Sequence, residues 1–504
     1  MQHSNFTHPL FYIRQHRVAM WIIAFVLFLQ FVVFKWLYPH PNFMPDSYGY
    51  LTAAKDNSPI SFWPVGYSMF LRLESIFTRN DIVLVLVQYL ILQGCILYFL
   101  FGMAHLLQMP RKWLYILSGI FILNPAVILI SNYVASDALF TSLSLLWFCL
   151  LLQLLVQPTA RLVWWHAILI FILFTIRYNA LFYPAISVLV LLVARVSWGV
   201  RIKGVLLMVL LMGVFVWHNN QEYKAFTGKA QFSPFGGWML GGDALFMYSR
   251  LPRDKEAPPA KFAALQAVVN RHMDSLDTVK SRPDSSMGAY YIWNGPLLKF
   301  LLLTFKNSKD SAADYFKKWA TMAPLYHEYG AYLIKKHPVA YTQHFWLPNA
   351  WNYFAPPGEF LKMYNQGSDS VGIEAVRWFG YKNGYVKAYN KKLAWAEYIS
   401  VVNTLFNVIF LAALLGIVLL NGFAFMSSHF KQSLLLALAF VLLNFMFSVS
   451  LAPLVLRYQL FSFVLNGIFS VLLIKQIYQI GKLQDAKVEV GNEPILSTSL
   501  NAGE

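Results

Sequence analysis

Long apolar runs separated by short polar breaks fill the first 219 residues, a mixed pattern follows to about residue 398, and apolar runs return toward the C-terminus. A helix needs roughly 20 apolar residues to cross a hydrocarbon layer of about 30 Å. Windows of this kind lie near 18–38, 82–107, 113–132, 137–157, 162–177, 180–195, 204–219, 399–420, 432–451 and 459–476. The pattern therefore predicts an all-α polytopic membrane protein with about ten transmembrane helices. The windows 162–177 and 180–195 are short enough to be tilted or partly re-entrant instead of complete crossings. About seven spans fall in a module covering residues 1–219, which includes a polar loop at 39–81, and about three in a module covering 399–482. Between them, residues 220–398 are long enough for a substantial, mostly helical region outside the bilayer. The polar tail, 483–504, is expected to be disordered.

Composition agrees, with 58% apolar and 12% charged residues. Arg14 and Arg17 precede the first apolar run and no small-residue cleavage site follows it, so the N-terminus reads as a retained signal anchor. Cys95 and Cys149 both lie in apolar windows, so neither a disulfide framework nor a thiolate metal site is expected. The formal charge of +17 does not argue for nucleic acid, because basic residues beside spans set orientation and meet anionic lipid. Alternating the spans from a cytoplasmic N-terminus gathers Arg14, Arg17, Arg111, Lys112, Arg161, Arg195, Arg201, Lys203, Lys431, Lys475 and Lys482 on the inside. The same alternation brings the loop with Asp46, the turns with Asp137, Arg177 and Arg457, and segment 220–398 to the outer face. The expected setting is the cytoplasmic (inner) membrane, with both termini cytoplasmic and interfacial helices and a large region outside.

Candidate chemistry begins in the first outer loop, NFMPDSYGYLTAAKDNSPISFWPVGY. Asp46, the first acid of the chain, stands just past a span end at the lipid–water boundary; it is either a reactive base or the cap of a short helix starting near Ser47. Tyr48, Tyr50, Phe62, Trp63 and Tyr67 suit an interfacial belt or stacking on a sugar ring. Glu74 reads as a helix-surface residue paired with Arg72 or Arg79. Asp137 is a second acid or a cap of the fourth span. Arg177, in Arg177-Tyr178-Asn179, suits phosphate oxygens or snorkels to headgroups.

In the large segment, SPFGGWMLGGDAL reads as a glycine-rich loop and residues 253–283 as solvated. Leu297–Phe305 is too short to span, and Asp310–His337 has helical spacing with Tyr315, Trp319, Tyr326 and Leu333 on related faces. His327-Glu328 lacks the following His of a zinc motif, so no metal site is expected. Lys335-Lys336-His337-Pro338 either meets an anionic headgroup or forms a solvated face. NAWNYFAPPGE, ending at Glu359, is a rigid aromatic loop able to line a cleft. An acceptor hydroxyl needs a base, for which Asp46 is the candidate. A departing phosphate needs fixed cations, for which Arg177, Arg457 or those near His337 are candidates.

The ordered set Pro45-Asp46-Ser47-x-x-Tyr50-Leu51, Pro64-x-Gly66-Tyr67, Ser136-Asp137, Arg177-Tyr178-Asn179 and Arg457-Tyr458 resembles the GT-C superfamily of membrane glycosyltransferases, nearest the protein O-mannosyltransferase and lipid A aminoarabinose transferase group. That resemblance implies a GT-C-like fold and an inverting transfer of a hexosyl or pentosyl unit. The donor would be a polyprenyl-phosphate-linked sugar and the acceptor a hydroxyl of a glycan, lipid or protein. Asp46 would be catalytic, with Asp137, Arg177, Tyr178, Arg457, Tyr458, His337, Tyr50 and Tyr67 binding substrate and donor. Ser47 follows Asp46 where some of these transferases have a second adjacent acid. No cofactor is required by the sequence, although a divalent cation is compatible with it. Two other classes share part of the pattern: a polysaccharide polymerase or ligase relying on basic residues of the large segment, and a secondary transporter. Transporter folds often repeat internally, and no convincing repeat is visible.

Overall fold

A computed structural model of the chain describes residues 9–283, 289–306, 311–393 and 396–491. Its elements are helical: α1 (Pro9–Gln15), α2 (Arg17–Leu37), α3 (Pro45–Asp56), α4 (Gly66–Ser75), α5 (Asp81–Leu106), α6 (Arg111–Ile122), α7 (Pro125–Asn132), α8 (Asp137–Val156), α9 (Ala160–Ile176), α10 (Tyr183–Val193), α11 (Trp198–Thr227), α12 (Pro234–Tyr248), α13 (Ala263–Asp277), α14 (Ala289–Trp293), α15 (Pro296–Lys306), α16 (Tyr315–Lys336), α17 (Pro338–Tyr341), α18 (Leu347–Phe354), α19 (Ile373–Phe379), α20 (Ala396–Leu419), α21 (Ser428–Leu451) and α22 (Leu460–Gly491). Among the described residues, extended pairing is limited to isolated bridges.

Among the described residues, eight helical stretches are long and apolar enough to cross a membrane: Arg17–Leu37, Asp81–Leu106, Arg111–Asn132, Asp137–Val156, Trp198–Thr227, Tyr398–Leu419, Ser428–Leu451 and Leu456–Lys482. The windows expected to be short are short, forming the apolar helices Ala160–Ile176 and Tyr178–Val193. The stretch from Arg111 to Asn132 is broken at Asn124-Pro125, where the Asn124 side chain accepts from the Ala126 N–H at 2.9 Å and starts α7. The spans differ in how much protein surrounds them. Leu456–Lys482 is 72% buried and central, whereas Trp198–Thr227 is 17% buried and peripheral. Peripheral helices expose Trp21, Phe25, Phe28, Leu206 and Leu210, an apolar surface that hydrocarbon can cover. The helix carrying the last span runs on to Gly491, so the start of the expected tail is helical; residues 492–504 lie outside the described residues.

The large segment has its own core, and here two expectations are corrected. SPFGGWMLGGDAL is not a loop but helix α12, packed closely along α16. A Cβ on Gly237 would come within 2.2 Å of the Ala323 carbonyl oxygen, and one on Gly330 within 2.6 Å of that of Leu240. Glycine is used there because two backbones touch. Trp238 stacks on Trp319 at 5.2 Å, and the Trp238 ring N–H donates to the Trp319 carbonyl. Residues 253–283 are also less solvated than expected, since α13 buries Leu265, Val269, Met273 and Leu276 against this core. The helices expected near 297–305 and 310–337 are α15 and α16, with Trp319, Tyr326 and Leu333 buried.

Candidate functional site

Two connectors are fastened together at one end of the helical bundle. The Asn42 N–H donates to the Asn132 carbonyl at 2.8 Å and the Val134 N–H to the Asn42 carbonyl at 3.0 Å. Lys35 reaches the Asn132 side chain at 3.2 Å, and Gln88 donates to the Ser131 and Tyr133 carbonyls. The chain leaving α2 is thereby held beside the chain entering α8, which brings Asp46 and Asp137 to a common point. The Ser47 hydroxyl accepts from the Met44 N–H at 3.0 Å. This local contact starts α3 without the Asp46 carboxylate, which faces Arg457 instead.

Asp137 is the hub. Its Oδ1 takes Arg177 Nη1 at 2.5 Å and its Oδ2 takes Arg457 Nη1 at 3.2 Å, with the Asp137 side chain only 4% exposed. Two guanidiniums from distant parts of the chain are fixed side by side through one carboxylate, an arrangement whose charge-assisted bonds are strong at low dielectric. The Tyr458 ring faces both, with Arg177 Cζ at 4.7 Å and Arg457 Cζ at 4.5 Å from its centroid, and its hydroxyl accepts from Arg457 Nη2 at 2.7 Å. Asp46 Oδ2 lies 3.8 Å from Arg457 Nη1, and Glu359 Oε2 lies 3.7 Å from Arg457 Nε. Burial pushes the Asp46 carboxyl above its ordinary range; Arg457 pulls it down and Asp137 pushes it further up. Glu359 is raised by burial first and by Asp46 and Asp137, against Arg457.

Beside the arginines lies a small, partly open cavity of about 30 Å³, lined at its charged end by Asp137, Arg177, Arg457 and Tyr458 and elsewhere by Phe140, Phe182, Tyr183, Phe440 and Phe461. Asn179, Thr141, Asn444 and Ser462 add polar points to its wall. Asp46 contacts the Arg457 guanidinium without itself being part of the cavity lining. A cationic end continuous with an aromatic wall is complementary to an amphiphile with an anionic head.

The remaining residues singled out in the sequence divide in two. Tyr50, one turn after Asp46, is buried and its hydroxyl meets Ser136 at 3.1 Å, directly behind the hub. Tyr67 is fully buried, packs edge-on against Tyr50 and donates to Gln88 at 2.8 Å, so it supports the site from behind. Tyr178 accepts from Asn219 at 3.1 Å and packs on Phe232, next to Arg177 but off the cavity wall. His337 is not brought to the hub: it pairs with Asp254 at 3.2 Å beside the core of the large segment. Lys336 binds the same carboxylate. Glu74 is no surface ion pair: it is buried with neither oxygen hydrogen-bonded, while Arg72 donates to the Ala54 carbonyl and Arg79 lies over Trp378.

Glu359 and Asn444 were not singled out as site residues. Asn444 had a signal, as a polar side chain inside an apolar span; it donates to Tyr353 and Ser462. Among the described residues, no three His, Cys, Asp or Glu side chains converge where a metal ion could be held. Comparisons with protein-family models, with curated proteins and with solved structures give no match to this chain.

Proposed function

We propose that this chain is a GT-C-like membrane glycosyltransferase, moving a sugar with inversion from a polyprenyl-phosphate-linked donor to an acceptor hydroxyl at the outer face of the cytoplasmic membrane. The observation that carries this reading is the Arg177–Asp137–Arg457 clamp in the wall of an aromatic-lined cavity, with the Asp46 carboxylate 3.8 Å from the Arg457 guanidinium. In this reading the lipid phosphate lies against the two arginines and the first part of its chain among Phe140, Phe182, Phe440 and Phe461. Asp137 neutralises part of the arginine charge and fixes both forks, so negative charge accumulating on the phosphate meets donors that need no rearrangement. Asp46 approaches from outside the cavity and accepts the acceptor's proton. The eight long spans and the two short apolar helices make ten crossings, with both termini cytoplasmic. Under the polymerase or ligase alternative, free basic residues of the large segment would be needed, and Lys336 and His337 are both engaged by Asp254.

The test is transfer by purified protein supplied with a panel of polyprenyl-phosphate sugars. Asp46→Asn is expected to lower turnover at least about 100-fold with donor binding retained, and Arg457→Gln to weaken donor binding as well. Full turnover by a folded Asp46→Asn variant would remove the base assignment.

A further inference from the structure

The loop after α18 brings a third carboxyl to the hub, and the reaction as described gives it no task. Glu359 follows Pro356-Pro357-Gly358 and has φ +41°, a left-handed backbone that non-glycine residues rarely adopt. The turn is over-determined by its surroundings. The Leu456 N–H donates to the Pro357 carbonyl at 2.9 Å, Tyr133 donates to the Phe360 carbonyl at 2.7 Å, and Ser400 donates to the Pro356 carbonyl. Unfavourable backbone held in place by contacts on several sides is typical of functional positions.

The side chain faces an equally unsatisfied partner. Arg457 donates through Nη1 to Asp137 and through Nη2 to the Tyr458 hydroxyl, while its Nε–H has no acceptor. Both Arg457 Nε and Glu359 Oε2 are buried without a hydrogen bond, and they face each other at 3.7 Å. Buried orphans of this kind are costly unless something else completes them. A phosphate oxygen accepting from Nε would come against Oε2, and two anionic groups cannot share that contact.

The charges point the same way. Asp46 and Asp137 face Glu359 from α3 and α8, Tyr133 from the connector before α8, and Arg457 and Tyr458 from the turn before α22. Three carboxyls therefore stand against Arg177 and Arg457 before any phosphodiester enters. Asp137 is locked between the two guanidiniums, and Asp46 must be ionised to serve as base. Resting on the transferase reading, we infer that Glu359 is the general acid of the reaction, holding a proton that it delivers to the departing phosphate oxygen.

The step balances. The acceptor oxygen forms its bond to the anomeric carbon and gives its proton to the Asp46 carboxylate. The bond from that carbon to the phosphate oxygen breaks, its electron pair stays on oxygen, and that oxygen takes the proton of Glu359. The donor enters as a phosphodiester monoanion and leaves as a hydrogen-phosphate monoanion, so the site's total charge never changes. Return of the proton from Asp46 to Glu359 resets the pair.

Two measurements on the full-length protein test this. In the Glu74→Gln background at neutral pH, the infrared spectrum of the protein minus that of its Glu359→Gln variant should contain a protonated-carboxyl band, and the same difference taken with Asp46→Asn should not; no such band in the Glu359→Gln difference overturns the inference. In the transfer assay, kcat/KM of the wild type should fall at alkaline pH as Glu359 loses its proton. Glu359→Gln should be about 100-fold slower and lack that alkaline limb, and Glu359→Asp should restore part of the rate. Wild-type rate and an unchanged limb in Glu359→Gln sink the role of Glu359 alone. Absence of transfer by the wild type from every donor sinks the transferase reading itself, whatever the infrared result.

Discussion

Asp137 shows how one side chain can set the character of a site. Arg177 and Arg457 alone would repel one another in a poorly solvated setting, and burying either unpaired would be expensive. A single carboxylate with one oxygen for each guanidinium solves both problems and holds the two side by side. Glu74 is the opposite case, a buried carboxyl with no partner, and burial pushes it up to about 7 from the ordinary 4.5. The folded chain keeps that proton up to about pH 7, whereas the unfolded chain releases it near 4.5. Between these values the folded state binds more protons, so stability falls as pH rises through this window and stays lower above it. The loss amounts to roughly 3 kcal/mol at most. Glu74→Gln is expected to remove it, so that in detergent the wild type loses more thermal stability from pH 5 to pH 8 than the variant does. Parallel melting shifts in both would show that Glu74 titrates as it does in the unfolded chain.

At the scale of elements, close backbone approach decides what glycines mean. The α12 stripe has the composition of a loop, yet Gly237 sits where any Cβ would meet the Ala323 carbonyl of α16. A β-branched residue there must force the two helices apart, and separation would open the Trp238–Trp319 stack. Gly237→Val should therefore destabilise the large segment by about 3 kcal/mol and change its tryptophan fluorescence. Gly236→Val, one residue away, meets no atom within 4 Å and serves as the control. Equal melting of the two variants would mean that α12 and α16 are not in contact. The same logic applies where α4 meets α9: a Cβ on Gly66 would fall 2.6 Å from the Thr175 carbonyl. That contact fixes α4 one turn from Arg177 and so ties the first polar loop to the site.

For the molecule as a whole, the orientation proposed from charge bias makes a direct prediction. Cys95 and Cys149 are buried, so a single introduced cysteine can be read cleanly. Lys229 and Ser368 are exposed on the large segment, and Lys112 on the opposite short connection. In intact cells a membrane-impermeant thiol reagent should label Lys229→Cys and Ser368→Cys but label Lys112→Cys only after permeabilisation; the reverse pattern would invert the topology and move the hub to the cytoplasmic side. The helical class and most span positions could be read from the chain itself, because a bilayer demands about 20 apolar residues per crossing and such runs are conspicuous. Asp46, Asp137, Arg177 and Arg457 also stood out, since ionisable groups are few beside long apolar runs. What they do to each other was not legible, because it depends on distances between segments hundreds of residues apart. Only folding makes Asp137 the bridge between two arginines, turns Tyr458 flat against both, sends His337 to Asp254 instead, and brings Glu359 in on a strained turn to face the spare edge of Arg457. Solvent preference is a property that each stretch of chain carries alone; ion pairing and backbone contact belong to pairs, and the sequence does not name the pairs.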